Sequence, residues 1–581
     1  MKRASFFLGC LLFLGVLAWS SRPTPVAEAI DFAPNMPHGA LLYLQARDFS
    51  GLLRDWNDSG VKRDWLKSAN YKVFAESRLF LRLKEAQGQF AEAAGLPPDM
   101  NFLAQAAGKQ SALGLYDIGN LEFLYISKVS SSDAMQSALW QSRAKFEPRS
   151  AGGIPFYVRS DPASHRVVAF ALFNDTLFLA TREELLAGAL EALAGGKEPK
   201  LSDETWYHDT LAAAHEAGDL RLVLNLKELV KSPYFRSYWI QRNVSEIRQF
   251  SSSVSDLYRA GATCREERVF LRNENAGSGA PAAVPAPAVT TQGQHAVAEL
   301  LAAVPAEAGF YRAAANPSPQ ESLFLLVSKL LAPQTTSAPV PTDAPAVQLT
   351  SGEVGSSADL ETKIDEQPIV AATTKDQSTD LREFLEKRGV LAELQVQSTW
   401  QDPETSFFRM HSAIVLASAN NWDGEAARAA LRAAVGGITT EGLGATWRRG
   451  GKGSSEYFEL DGQFPLCLAV RGNYLVLSDR AELLNSFSFH SAKITAATEA
   501  VSAAGINFAR ERNNFAALTR LLDNTTVAQN SLSSDSPGEP PFLSGNLASL
   551  SQVLSGVKSE SIVTRESGGK VLQTLTYQWD R

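Results

Sequence analysis

The sequence predicts an α+β protein: two tandem copies of a mostly antiparallel sheet with helices packed on it, joined by a disordered linker. Three observations predict it. One stretch occurs twice, as Val167 to Leu190 (VVAFALFNDTLFLATREELLAGAL) and as Pro465 to Phe487 (PLCLAVRGNYLVLSDRAELLNSF). Neighbouring strand patterns are separated by short turns, which favours antiparallel pairing. A run rich in Ala, Pro and Gly, Asn273 to Gln294, divides the chain and has almost nothing large to bury.

The two copies align without a gap from Leu172 onto Val470 through Leu186 onto Leu484. Leu177, Leu179, Arg182, Glu184, Leu185 and Leu186 recur as Leu475, Leu477, Arg480, Glu482, Leu483 and Leu484. A period of about 270–300 residues is far too long for a solenoid or propeller and reads as a duplicated domain. The 581 residues leave room for this, at roughly 100–200 residues per domain. The expected boundaries are 1–29 as signal peptide or N-terminal anchor, 30–272 as the first repeat, 273–294 as linker and 295–581 as the second repeat. Inside the second repeat, 333–380 reads as a disordered insertion and 527–541 as a loose loop, both poor in large apolar residues.

In the first repeat, Pro37 sets up a strand from Ala40 to Gln45. Short aromatic-bearing helices follow, from Phe49 to Trp56 and from Trp65 to Phe74. The stretch from Glu76 to Ala94 is an amphipathic helix with Leu79, Leu83, Ala86 and Phe90 on one face. Gly95 and Pro97-Pro98 end it. Strands from Ser111 to Tyr116 and from Glu122 to Lys128 flank a turn. Ser131, Ser132 and Asp133 offer N-caps for a helix through Trp140. A strand from Pro155 to Arg159 precedes the repeated hairpin, which turns at Asn174-Asp175 and leaves one face on a core. Thr181 and Glu184 fit a capping box for the next helix. A strand from Leu220 to Leu226, a long helical region from Glu228 to Leu257 and a strand from Cys264 to Arg272 complete the repeat.

The second repeat answers in kind. Val304-Pro305 matches Met36-Pro37, and Phe310-Tyr311 matches Leu42-Tyr43. The strand from Met410 to Ser418 matches Glu122 to Lys128, and Gly505 to Ala509 matches Leu220 to Leu226. The sheet is expected to carry its helices on one side.

The N-terminus reads as an export signal. Lys2 and Arg3 precede an apolar run of sixteen residues, Ala4 to Trp19, short for a spanning helix of about twenty. Cleavage sites fit at Ala18-Trp19-Ser20 and Ala27-Glu28-Ala29. Cys10 hints at a lipoprotein box, but the apolar run continues past it. The expected location is the periplasm or cell envelope, with an N-terminal segment left uncleaved supplying membrane contact as the alternative. Beyond that segment only Cys264 and Cys467 remain, each in an apolar strand-like context. Two buried thiols are the favoured reading and a disulfide between them the other.

Pro37 with the Leu42-Tyr43 strand, the hairpin-helix LFLATREELL from Leu177 to Leu186 and the export signal together resemble the DUF3352 family of exported bacterial proteins. The resemblance covers roughly Ala33 to Arg272 and, more faintly, Val304 to the end. The family has no assigned activity, so the resemblance implies location and architecture and carries over no catalytic residue.

Recognised chemistry is scarce. The net charge of −8 and the absence of a basic block argue against nucleic acid. His208 and His215 are expected two turns apart on one helix, too far to share one ion without a third ligand between them. Ser59-Gly60-Val61-Lys62 has the S-x-x-K pattern without the accompanying K-T-G element. Gly450-Gly451-Lys452-Gly453 lacks the first Gly and the Ser or Thr of a phosphate loop and reads better as a hairpin turn. No metal or cofactor is expected. The binding candidates are Tyr234, Phe235, Tyr238, Trp239, Arg242 and Phe250, aromatics with arginine in one helical region, a composition met at interfaces. The expected function is a non-enzymatic binding or scaffold module with an envelope protein or a lipid as partner. The alternatives are an envelope hydrolase with a site between the repeats, and a chaperone-like holder of apolar segments on those aromatics.

Overall fold

The structure, a computed structural model, describes residues 30–233, 247–273, 289–331, 379–401, 408–435, 446–460, 465–489, 499–512 and 556–579. Among the described residues there are 20 strands and 15 α-helices, and the strands pair antiparallel, which makes the class α+β. By packing, the chain divides into two compact units: residues 1–283 with 506–581, and residues 284–505.

The first unit contributes β1 (Leu42–Ala46), β2 (Ser111–Asp117), β3 (Glu122–Lys128), β4 (Glu147–Ala151) and β5 (Ile154–Ser160). It continues with β6 (Val167–Phe173), β7 (Thr176–Ala180), β8 (Leu220–Leu224), β9 (Phe250–Ala260) and β10 (Thr263–Arg272). Their order across the sheet is β4-β5-β6-β7-β3-β2-β1-β8-β9-β10. The second unit contributes β11 (Phe310–Ala315), β12 (Val390–Gln401), β13 (Phe408–Ser418), β14 (Trp447–Gly450) and β15 (Tyr457–Leu460). It continues with β16 (Leu466–Arg471), β17 (Tyr474–Ser478) and β18 (Ser502–Asn507). Here the order is β14-β15-β16-β17-β13-β12-β11, with β18 beside β11. The register also recurs: Ala169 faces Ala180 in the first hairpin, and Cys467 faces Ser478 in the second, at the offset that carries Leu172 onto Val470.

β19 (Val557–Ser567) and β20 (Lys570–Trp579) form a hairpin, and β20 pairs along β10 from Thr263 opposite Gln578 to Leu271 opposite Lys570. This ladder goes with the grouping of the C-terminal hairpin in the first compact unit, although by sequence it falls in the expected second repeat, 295–581.

Several elements depart from expectation for physical reasons. Phe250–Ala260 is a strand, not the end of a long helix, because β8 and β10 flank it and take up its backbone groups on both edges. The first-unit helices lie on both faces of the sheet. Phe178 and Ala180 of β7 face a core with Leu186 and Leu190, whereas Leu177 and Leu179 face one with Ala93, Ala94 and Phe102. A strand buried on both faces cannot alternate, and all five residues of β7 are buried. Thr181 makes no capping box. The helix Glu183–Leu193 starts from Arg182 without a side-chain cap, and Thr181 Oγ1 instead accepts the Phe123 N–H at 2.9 Å. Ser130, rather than a later residue, caps Ser131–Gln136. β4 and β12 were not anticipated from the sequence pattern.

The repeated hairpin turns as expected at Asn174 and Asp175, with φ of +45° and +56°, the left-handed pair that suits a two-residue hairpin loop. Pro37 is held by its carbonyl, which accepts Tyr116 Oη at 2.9 Å. Tyr43 is fully buried, donates to Asp31 Oδ1 at 3.3 Å and meets Tyr207 edge-on at 5.7 Å. These motif residues are therefore architectural. The linker and both insertions lie largely or wholly outside the described residues.

Candidate functional site

The first unit encloses a cavity of about 490 Å³ between its sheet and three helices, Phe49–Asp58, Arg78–Ala94 and Met100–Ala106. Strand register builds its floor. Leu44 of β1 lies opposite Leu113 of β2, Leu113 opposite Tyr125 of β3, and Tyr125 opposite Leu179 of β7. One row of side chains thus crosses four strands on one face, and residues two along on the same face add to it, Ala46 and Ser111 on one side of the row and Phe123 on the other. The roof is the amphipathic helix, whose Leu83, Ala86 and Phe90 line the cavity. Farther along the same helix Ala93 and Ala94 are fully buried, so the helix closes on the sheet at its C-terminal end and stands off at the other. Leu83 and Leu103 line the cavity and are also 44% and 37% exposed, which marks where it opens to solvent.

The polar groups on the lining are few and mostly spent on the walls. Tyr125 Oη donates to the Ala106 carbonyl at 3.0 Å, and burial pushes its phenol above the ordinary range. Ser111 Oγ and Ser127 Oγ share a hydrogen bond of 2.8 Å. Gln87 Nε2 donates to the Pro98 carbonyl at 3.2 Å. Arg166 is the one ionic side chain among the described lining residues, which include no Asp, Glu, His or Cys. Its Nε donates to Gln89 Oε1 at 2.8 Å and its Nη1 to the Asn120 carbonyl. Those two bonds fix the guanidinium and leave Nη2 without a hydrogen bond among the described residues. The cavity can therefore bury an apolar body and offer one cation to it. Its lining has no group placed for general acid–base work at neutral pH.

The second unit holds the other polar cluster of note. His411 Nδ1 lies 3.3 Å from Asp479 Oδ2, and Arg480 Nη1 lies 3.4 Å from His411 Nε2. The Arg480 guanidinium sits 4.4 Å over the Trp400 ring. No hydroxyl or thiol is hydrogen-bonded to His411 among the described residues. Ser478 Oγ donates to the Ser412 carbonyl at 3.0 Å instead, so the nucleophile–base contact of a hydrolytic triad is missing there.

The residues singled out from the sequence fall elsewhere. Tyr234, Phe235, Tyr238, Trp239 and Arg242 lie outside the described residues. Phe250 is described, and it belongs to β9, not to a helix; it packs 5.1 Å from Phe270 in a small satellite core. His208 is on the helix Thr205–Ala213, but His215 lies beyond its end, so the two do not share a helix face. Ser59 caps a helix by accepting the Lys62 N–H at 3.1 Å, which accounts for the S-x-x-K pattern. Gly450 and Gly451 close the β14–β15 hairpin, as the turn reading expects. Cys264 and Cys467 are free and buried. Among the described residues no cluster could hold a metal ion, and no helix is long and apolar enough to cross a membrane. Only the Leu83, Ala86 and Phe90 stripe gave a sequence signal for the cavity, and it reads the same as a core-facing stripe.

No protein-family profile matches the chain, and no curated protein matches it. Among solved structures it is similar to one titled "Structure of crystal form I of TP0453", at a TM-score of 0.23 and 10% identity, over 42% of this chain and 80% of that one. A likeness of that size assigns neither fold nor function.

Proposed function

We propose that this is an exported envelope protein, built on a duplicated α+β unit, that binds an amphiphile. The apolar tail occupies the first unit's cavity and an acidic head pairs with Arg166. The resemblance to the DUF3352 family belongs to the same proposal. The observation that carries it is the lining, an aliphatic and phenylalanine wall around about 490 Å³ with a single cation and no carboxylate. That volume lies within the roughly 300–1,000 Å³ usual for small-molecule sites. Each buried methylene gains about 0.8 kcal/mol, so a tail of about ten carries most of the affinity before ordering costs. A carboxylate or phosphate head would add a charge-assisted hydrogen bond at Nη2. The export signal supports the reading, because it would deliver the chain to a compartment bounded by lipid.

Titration of the full chain with a fluorescent fatty acid tests this. Saturable binding displaced by an unlabelled fatty acid is expected. Arg166→Ala should weaken the acid about tenfold and leave the matching fatty alcohol unchanged, since only the charge-assisted bond is lost. Absence of saturable binding would refute the reading, and equal losses for acid and alcohol would refute the role of Arg166.

A further inference from the structure

A second surface of the first unit adjoins the cavity at Leu83. Residues 60–84 run through Gly60–Lys67, Ala69–Ala75 and the first turns of Arg78–Ala94. They hold seven Lys and Arg against two acidic residues, in a chain of net charge −8. Aromatic rings join the three helices. Trp65 lies 6.2 Å from Phe74, and Phe74 lies 5.3 Å from Phe80. With the rings turned onto one another, leucines are left outside: Leu66 is 46% exposed and Leu81 54%. Lys67, Lys72 and Lys84 of the same three helices are exposed and make no ion pair among the described residues.

We propose that this helical face docks on an anionic lipid surface, with Leu66 and Leu81 entering the boundary between headgroups and acyl chains. The two exposed leucines give a face rich in Lys and Arg the apolar component that a lipid interface can take up. Basic amphipathic helices with aromatic and leucine side chains are the form that lies in a bilayer interface. The local charge supplies the attraction, which acts within a Debye length of an anionic leaflet. A protein partner with an acidic groove would meet the charge. Leucines spread over two helices are better met by a broad, deformable surface than by one groove. Leu83 connects the two surfaces, since it is part of the cavity wall and also faces solvent. Docking would therefore set the cavity mouth toward the bilayer.

The test needs a local readout, because the N-terminal apolar segment would itself hold the full chain on vesicles. The full chain carrying Cys10→Ala and Leu81→Cys is labelled at residue 81 with an environment-sensitive fluorophore; Cys264 and Cys467 are buried and stay unlabelled. It is mixed with phosphatidylcholine vesicles with and without phosphatidylglycerol. A saturable blue shift is expected only on the phosphatidylglycerol vesicles, lost at high salt. Lys67→Glu with Lys84→Glu should raise the lipid concentration at half-shift by about tenfold or more. A label at Leu66→Cys should report the same behaviour if the first site perturbs folding. No shift at either site, an equal shift on phosphatidylcholine alone, or indifference to charge reversal would each overturn the proposal.

Discussion

Arg182 Nη1 lies 2.9 Å from Glu122 Oε2 and ties the turn after β7 to the start of β3. In the second unit Arg480, at the equivalent position, meets His411 at 3.4 Å. The bond beside it is also repeated. Phe123 donates its N–H to Thr181 Oγ1 at 2.9 Å, and Ser412 donates its N–H to Asp479 Oδ1 at 3.1 Å. A hydroxyl and a carboxylate thus do the same work at the same sheet corner.

The two bonds at that corner should differ in worth. Arg182 is about half exposed, and an exposed ion pair contributes roughly 0–1 kcal/mol. Thr181 is buried, and removing its oxygen strands a backbone donor, at about 1–3 kcal/mol. Denaturant midpoints should therefore fall further for Thr181→Val than for Arg182→Ala. The reverse order would show that the ion pair, not the buried acceptor, holds the corner.

Legibility in the sequence followed the range of the interaction. The hairpin at Asn174-Asp175 and the helix ended by Gly95 were readable because their turn and cap chemistry is local. β9 was not. Its residues form a strand because β8 and β10 flank them, and that information lies far away in the chain. Thr181 looked like a helix cap, but Phe123, distant in sequence, claimed its oxygen. The cavity was least legible. Its floor draws Leu44, Leu113, Tyr125 and Leu179 from four strands, so no short motif contains it. The stripe of Leu83, Ala86 and Phe90 promised a packed core, and sequence alone cannot tell a filled interface from an empty one.

Filling the cavity should separate binding from stability. Ala86 lines it from the roofing helix. Ala86→Phe places a ring in empty space, so the melting temperature should hold or rise slightly while fatty-acid binding falls about tenfold or more. Binding that survives the substitution would move the ligand elsewhere. A collapse in stability would show that the space is already tightly packed.

The two cysteines should behave as inert hydrophobes. Burial pushes the Cys264 and Cys467 thiols up to about 12. Only the thiolate reacts with alkylating agents, so neither should be modified in the native chain at pH 8, and both should be in denaturant. The Cys10→Ala background keeps the count to these two. Native labelling of either would contradict the buried strand positions.

Glu560 should give the fold a pH dependence of defined sign. Burial pushes its carboxyl up to about 7; Arg268 opposes this and Glu266 adds to it. Arg268 is already held by Glu266 at 2.6 Å, so two carboxylates share one guanidinium. An unfolded glutamate titrates at about 4.3. Below that value both states are protonated, and Glu560 costs the fold nothing. As pH rises toward 7 the unfolded chain ionises first, and the native state loses on the order of 2 kcal/mol relative to it. Asp161 and Asp175, held below the ordinary range by Ser164 and Ser131, act in the opposite sense but alike in both proteins, so a difference measurement removes them. Glu560→Gln should therefore raise the denaturation midpoint at pH 7.5, have little effect at pH 4.5, and flatten the slope between. An equal gain at both pH values would mean that the substitution acts through packing and not through the proton.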